Sequence, residues 1–166
     1  MILEELSEKW EKALKNSLSS FPYSTKFTYF APSLPHWAEN IFEKFTTNST
    51  YSQETHLQEL SVALYSRFPL EDIKVNELDA HTIPYVKAGV TFKEKRLILL
   101  GVHLYSPVSK DRFDMRNRQL SALAKIVNKL NQPVILVGDF NTTPWSSYFK
   151  DFIQKTGLKE TRKKLG

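Results

Sequence analysis

The sequence predicts an α/β sandwich formed by one domain. Segments with strand character alternate with segments of helical periodicity, which is typical of sheets flanked by helices. Two of the strand segments are apolar on both faces, as central strands covered from both sides are. The 166 residues include 41% hydrophobic and 13% aromatic residues, enough for a core, and this composition excludes an intrinsically disordered chain.

The first sixty residues predict one helix followed by extended chain and loops. Ser7 is a candidate N-cap, and Pro22 ends the helix because it biases the residue before it away from the α region. The apolar positions of this helix follow the i, i+3, i+4 pattern, at Trp10, Ala13, Leu14 and Leu18. Residues 22–60 contain the polar stretch Thr46–Thr50 and mark no domain boundary.

Strand patterns dominate from Ser61 onward. Residues 61–65, 73–75 and 86–92 predict strands, and Arg96–Leu104 is a nearly continuous apolar run. Ser109–Asn131 predicts a helix. Its core face carries Leu120, Leu123, Val127 and Leu130, and its solvent face carries Arg116, Lys125 and Lys129.

The second apolar strand follows this helix directly. Pro133 breaks the helix, and Val134–Val137 predicts a second buried strand. A last helix is expected from about Ser146 to Lys155, with Gly157 at the position that glycine favours after a helix.

Composition excludes several classes of protein. The chain has no cysteine, which excludes a disulfide framework, a thiolate zinc site and a cysteine nucleophile. No apolar run approaches the ~18 residues of a transmembrane helix. The acidic start MILEELSEKW does not resemble a signal peptide, which begins with basic residues. We therefore expect a soluble chain, with the cytoplasm as the default compartment.

The net charge of +5 is unevenly distributed. Residues 1–100 carry 11 Lys and Arg against 13 Asp and Glu, whereas residues 101–166 carry 12 against 5. A basic half indicates a polyanionic partner such as nucleic acid, a phosphorylated substrate or anionic lipid, and a solvated surface is the alternative. The basic tail Arg162–Lys164 either contacts phosphate or is a frayed, solvated end.

The strongest chemical signal is the segment Gly138-Asp139-Phe140-Asn141, at the end of a predicted buried strand. The Asp139 carboxylate and the Asn141 carboxamide are two residues apart, so they project from one face toward a common point. Such an Asp can hold a divalent cation or orient water, and such an Asn can donate to a phosphate oxygen. Gly138 permits a close backbone approach. The alternative is that Asp139 and Asn141 only cap a turn.

The second signal is His103, which ends the other apolar strand within Gly101–Pro107. A lone histidine at such a position is more often structural than catalytic. Two neighbouring strands that both end in polar side chains favour a site there, because sites in open α/β sheets gather beyond the strand ends.

These segments resemble the endonuclease/exonuclease/phosphatase superfamily, whose fold is that of DNase I. The Gly-Asp-Phe-Asn motif of the superfamily is matched by Gly138–Asn141, and its Thr-His-Leu strand is similar to Val102–Leu104. Its Leu-Ser-Arg-x-Pro strand resembles residues 63–70, and its Arg-x-x-Gln-Leu helix resembles Arg116–Leu120. Leu3–Leu6 resembles the metal-binding Leu-Gln-Glu-Val segment.

The resemblance implies a four-layer sandwich of two packed β-sheets flanked by helices, over a single domain of residues 1–166. It also implies a phosphoester hydrolase that depends on Mg²⁺ or Mn²⁺, with Glu5 as the metal ligand. Asp139 then orients the attacking water, Asn141 binds the phosphate, and His103 contacts the phosphate or assists proton transfer.

The chain departs from the superfamily pattern at both ends. The early strand with a metal-binding Asn and the late Ser-Asp-His strand have no match. We therefore expect a domain truncated at both ends, inactive or nearly so, that is able to dimerise through exposed sheet edges.

The substrate that we expect from the resemblance is a phosphodiester in nucleic acid. Lipid or inositol phosphates are the alternative substrates, and a non-catalytic polyanion-binding module is the alternative class of protein.

Overall fold

The computed structural model describes residues 1–4, 13–14, 16–25, 62–78 and 84–161. Its strands and two long helices are, in chain order, β1 (Ile2–Glu4), β2 (Tyr23–Ser24), β3 (Val62–Ser66), β4 (Glu71–Glu77), β5 (Pro84–Phe92), β6 (Lys95–His103), α1 (Lys110–Asn128), β7 (Val134–Asp139) and α2 (Ser147–Thr156). The strands predicted after Ser61 and both predicted C-terminal helices are therefore confirmed. Most of the predicted N-terminal helix, and all of residues 26–61, lie outside the described residues.

The strands form two sheets. The first has the order β1-β3-β2 and is antiparallel, and the second has the order β4-β5-β6-β7. Strands β4, β5 and β6 are antiparallel neighbours, whereas β6 and β7 are parallel. A parallel pair needs a crossover connection, and α1 provides it.

Apolar side chains cover both faces of the second sheet. Between the two sheets lies a cluster formed by Val62, Leu64, Val86 and Ala88, against which Ile2, Leu99 and Val137 pack. On the other face, alternate residues of β6 and the following Leu104 pack against both helices, in a cluster that includes Ile98, Leu100, Val102, Leu120, Leu123, Val127, Phe149 and Phe152. Strand β6 is thus covered on both faces, as its apolar run predicts.

The fold class predicted from the sequence is confirmed as two packed sheets with helices. The described residues show three layers in the order sheet, sheet, helices. The predicted fourth layer is not among them, and residues 7–12 and 15 of the predicted N-terminal helix lie outside the described part of the chain.

Both helices begin within one residue of the predicted start, and α2 ends within one residue of Lys155, whereas α1 ends at Asn128, three residues before the predicted Asn131. The Ser109 hydroxyl accepts a hydrogen bond from the Arg112 N–H at 3.2 Å at the start of α1. Gly157 adopts the left-handed conformation, with φ of 65°, at the end of α2. Among the described residues, neither helix combines the length and apolar character required to cross a bilayer.

Two burial predictions are wrong. Arg116 is only 3% exposed, because it lies four and seven residues before Leu120 and Leu123 and shares their core-facing stripe. Strand β7 is half-buried rather than buried, and its Ile135 is 47% exposed. Among the described strands β7 pairs only with β6, so it lies at an edge of the sheet.

Gly101 of β6 faces the first sheet at close range. A Cβ atom there would lie 2.9 Å from Leu64 Cδ2 and 3.2 Å from Val62 Cγ1. We expect Gly101→Val to lower the free energy of unfolding by about 1–3 kcal/mol, as overpacking of a core does. Urea denaturation measures the change. Gly157→Ala is the comparison, because a Cβ there meets no atom within 4 Å and costs only the left-handed backbone strain, about 1–2 kcal/mol. Unchanged stability of Gly101→Val would contradict the close approach of the sheets.

Candidate functional site

The parallel pairing of β6 and β7 brings His103 and Asp139 together. These two residues are register partners at the carboxyl ends of the strands, and the Leu104 N–H continues the pairing by donating to the Asp139 carbonyl at 2.9 Å. His103 is buried, whereas Asp139 is exposed. The imidazole therefore lies at the base of the site and the carboxylate lies at its surface.

Gly138 makes the close approach at this point possible. Its φ is 141°, and a Cβ atom there would lie 1.7 Å from the Val102 carbonyl oxygen and 2.9 Å from Glu4 Oε1. A side chain at this position would clash with the β6 backbone and with the Glu4 carboxylate at once. The close backbone approach expected at Gly138 is thus present, and only glycine permits it.

Glu4 enters the site from the other sheet. It ends strand β1, and its Oε1 accepts a hydrogen bond from the Asp139 backbone N–H at 2.8 Å. Donor atoms of Glu4, His103 and Asp139 all lie within 4.8 Å of one another. The site is therefore built from both sheets, with one carboxylate from the first sheet and a histidine and a carboxylate from the second.

The loop after β7 is held by its own side chains. Asp139 Oδ1 accepts from the Asn141 N–H at 2.7 Å, and Asn141 Nδ2 donates to the Leu104 carbonyl at 2.7 Å. Asn141 has a φ of 45°, a left-handed conformation that Asn tolerates better than most residues. Asp139 and Asn141 thus do cap a turn. Each retains polar capacity, because a carboxylate has a second oxygen and an amide nitrogen carries a second hydrogen.

Two buried polar residues of α1 support the loops on either side of the site. Arg116 Nη1 donates to the Asn141 carbonyl at 2.7 Å, and Gln119 Oε1 accepts from the Tyr105 N–H at 3.1 Å. Gln119 is fully buried. One helix therefore holds both the loop that leaves β6 and the loop that leaves β7.

Burial lowers the pKa of the Arg116 guanidinium from its ordinary value, and the nearby Tyr148 opposes this shift. An arginine remains protonated in proteins despite such a shift. A positive charge consequently lies beneath the Asn141 loop, where it favours an anion at the site.

The donor set fits a hard divalent cation. Glu4 and Asp139 offer carboxylate oxygens, and Mg²⁺ is commonly held by one or two carboxylates together with water and substrate phosphate. Carboxylates also suit Mn²⁺, whereas imidazole nitrogen is better suited to zinc. The two carboxylates are therefore the candidate ligands, and His103 remains for contact with substrate.

The structure brings together three of the four residues expected from the sequence, namely His103, Asp139 and Asn141. The fourth, Glu5, lies outside the described residues, so its metal-binding role stays a prediction. Glu4 is the residue that sequence reasoning missed. Two adjacent glutamates carry the same chemical signal, and no local pattern distinguishes which of them faces the second sheet.

The two-sheet sandwich, with carboxylates and a histidine at the strand ends, defines an α+β protein of the DNase I type. The model of the endonuclease/exonuclease/phosphatase family matches residues 1–162. The chain belongs to this family, whose members are hydrolases that act on phosphoesters.

Solved structures share the fold at low sequence identity. A double mutant of beta toxin from Staphylococcus aureus with bound magnesium ions is similar, with a TM-score of 0.64, 19% identity and coverage of 96% of this chain and 57% of that chain. Sphingomyelinase C from Streptomyces griseocarneus has a TM-score of 0.62, 16% identity and coverage of 96% and 57%. The human nocturnin catalytic domain has a TM-score of 0.57, 18% identity and coverage of 93% and 56%.

The chain thus spans 57%, 57% and 56% of these three solved structures. No curated protein matches the sequence.

The hydrogen bond from Arg116 to the Asn141 carbonyl can be tested by substitution. We expect Arg116→Met, which keeps an unbranched side chain, to lower the free energy of unfolding by about 1–3 kcal/mol because it leaves a half-buried carbonyl without its donor. Arg118→Met is the matched control, since Arg118 is exposed on the same helix and should change stability by less than about 0.5 kcal/mol. Equal effects of the two substitutions in urea denaturation would contradict the supporting role of Arg116.

Proposed function

We propose that this chain carries the site of a metal-dependent phosphodiesterase that acts on nucleic acid. The observation behind the proposal is the convergence of Glu4, His103 and Asp139, whose donor atoms lie within 4.8 Å of one another. Membership of a family of phosphoester hydrolases agrees with this proposal.

Glu4 and Asp139 are the residues that would hold Mg²⁺ or Mn²⁺. A bound divalent cation neutralises charge on phosphate oxygens and on the leaving oxygen. Asp139 also orients the attacking water: Oδ1 is hydrogen-bonded to the Asn141 N–H, and the second carboxylate oxygen can accept a proton from water.

Asn141 and His103 would contact the phosphate. One Asn141 Nδ2 hydrogen is used on the Leu104 carbonyl, and the other is a donor for a phosphate oxygen. His103 is held at the end of β6 beside Asp139, where an imidazole can donate to phosphate or move a proton. The hydrogen bonds of Arg116 and Gln119 to the two loops keep the Asn141 and His103 side chains in position for this contact.

Charge favours nucleic acid as the substrate class. Residues 101–166, which include His103, Asp139 and Asn141, carry 12 Lys and Arg against 5 Asp and Glu. Such an excess attracts a polyanion, and its contribution weakens with salt. The basic tail Arg162–Lys164 lies outside the described residues.

The metal site can be tested by comparing the two adjacent glutamates. We expect Glu4→Gln to weaken Mn²⁺ binding at least tenfold in isothermal titration, because it removes a charged oxygen ligand while keeping the size of the side chain. Glu5→Gln tests the alternative assignment, and if Glu4 is the ligand it should leave the Mn²⁺ affinity within about twofold. Thermal denaturation without metal checks that both variants fold.

The reverse result has a definite meaning. If Glu5→Gln abolishes Mn²⁺ binding and Glu4→Gln does not, Glu5 is the ligand and the assignment of Glu4 is wrong. If neither substitution changes the affinity, the proposed carboxylate site for the cation is wrong.

The substrate class can be tested with a hydrolysis panel of plasmid DNA, single-stranded DNA, RNA, sphingomyelin and inositol phosphates in Mg²⁺. Among these substrates we expect the highest turnover for nucleic acid. Asp139→Asn should lower the rate by about 10²–10⁴-fold, because the amide no longer accepts a proton from water.

Hydrolysis of sphingomyelin or inositol phosphates alone would overturn nucleic acid as the substrate. Absence of turnover of every substrate would favour a non-catalytic polyanion-binding module.

A further inference from the structure

Two exposed aromatic side chains lie in the first turns of α1 and α2. Phe113 and Tyr148 are 38% and 45% exposed, and their ring centroids are 5.6 Å apart at an interplanar angle of 88°. The two helices begin after the loops that leave β6 and β7. The aromatic pair therefore lies on the side of the sheet where the strands end in His103 and Asp139.

Arg116 joins this pair to the candidate site. Its guanidinium carbon lies 5.1 Å from the Phe113 ring centroid, and its Nη1 donates to the Asn141 carbonyl at 2.7 Å. Because Arg116 is buried and makes both contacts, it holds the Phe113 ring at a fixed position relative to the Asn141 loop.

Basic residues outnumber acidic ones around the pair, since residues 110–118 of α1 carry four Lys and Arg against Asp111 and Asp114. Arg112 directly precedes Phe113 in the chain. Its guanidinium carbon lies 5.8 Å from the Tyr105 ring centroid. The first turn of α2, which carries Tyr148, has no acidic residue, and Ser146 makes no side-chain hydrogen bond to cap it. An uncapped helix N-terminus beside arginine is favourable for phosphate.

We propose that Phe113 and Tyr148, with Arg112 beside them and the buried Arg116 holding Phe113 in place, form a platform on which an unpaired base of single-stranded nucleic acid stacks next to the Asp139–Asn141 loop. Exposed aromatic rings next to guanidinium groups are the surface that single strands use, since bases stack on rings and phosphates pair with arginine. This inference rests on the proposed function, because it places the scissile strand of nucleic acid at the site.

An anionic membrane is the competing occupant. Trp145 and Val108 are strongly exposed on the loops that lead into α2 and α1, and apolar side chains next to basic ones also suit lipid headgroups. Substitution of an aromatic residue by leucine distinguishes the two occupants. Leucine still inserts into a membrane, so membrane binding should persist, but it has no ring on which a base can stack.

The test compares Phe113→Leu and Tyr148→Leu with a matched aromatic pair elsewhere. Phe68 and Phe92 are 42% and 43% exposed, with ring centroids 5.2 Å apart at 75°, and the Lys93 amino group lies 5.5 Å from the Phe92 centroid. Phe92 ends β5 and pairs with Lys95, the first residue of β6. It therefore lies at the end of the sheet opposite to His103, the last residue of β6. Phe92→Leu is therefore the control.

The measurement is fluorescence anisotropy of the 166-residue chain with a short fluorescein-labelled oligothymidylate and with an abasic oligonucleotide of equal length. We expect wild type and Phe92→Leu to bind oligothymidylate more tightly than the abasic strand. Phe113→Leu and Tyr148→Leu should lose about five- to a hundredfold of the oligothymidylate affinity and bind both strands alike. Tyr148→Phe keeps an aromatic ring and should retain the preference for oligothymidylate over the abasic strand. Thermal denaturation checks that every variant is folded.

Three outcomes would overturn the platform. One is equal binding of both strands by wild type, and another is an equal loss in Phe92→Leu. The third is stronger binding to phosphatidylserine vesicles than to oligothymidylate, with no loss on substitution by leucine.

Metal-free anisotropy also separates this inference from the proposed function. If Glu4→Gln leaves Mn²⁺ binding unchanged while the preference for oligothymidylate persists, the proposed metal site is wrong and the platform stands. An equal affinity for both strands, with Mn²⁺ binding intact, would remove the platform alone.

Discussion

The geometry of the site depends on the missing side chain at Gly138. A Cβ atom there would lie 1.7 Å from the Val102 carbonyl and 2.9 Å from Glu4 Oε1, so any other residue would push β7 away from β6 and displace the carboxylate. With glycine present, the pairing continues to His103 and Asp139, and Glu4 accepts the Asp139 N–H. One backbone contact thus sets the separation of all three donor residues.

Buried polar side chains transmit this geometry to the surrounding loops. Arg116 and Gln119 lie within the core-facing side of α1 and hydrogen-bond the backbone of the two loops at the site. A buried guanidinium is costly unless it is paired, so its presence in the core is stabilising only while the Asn141 loop keeps its position. Packing of α1 and the conformation of the site therefore depend on each other.

Much of the fold and part of the site could be predicted from local pattern. The apolar run of β6, the Ser109 cap and the glycine after α2 each reflect rules that operate within a few residues. The same holds for the Asp139–Asn141 turn, since its hydrogen bond joins residues two apart. Arg116 could also have been placed in the core, because its spacing of four and seven residues from Leu120 and Leu123 puts it on their stripe.

The sequence by itself determined which residue types are available at the strand ends, the alternation of strands and helices, and the presence of a glycine before Asp139 that permits a close approach. Only the tertiary structure decided that Glu4 reaches the second sheet, because that contact joins residues 135 positions apart. It likewise decided that β7 has β6 as its single neighbour among the described strands and leaves Ile135 exposed, since the burial of a strand depends on its neighbours in the sheet. The aromatic pair of Phe113 and Tyr148 also forms only when α1 and α2 pack together. Hydrophobic periodicity indicates which side of an element is buried, but the residue that it meets there depends on long-range packing.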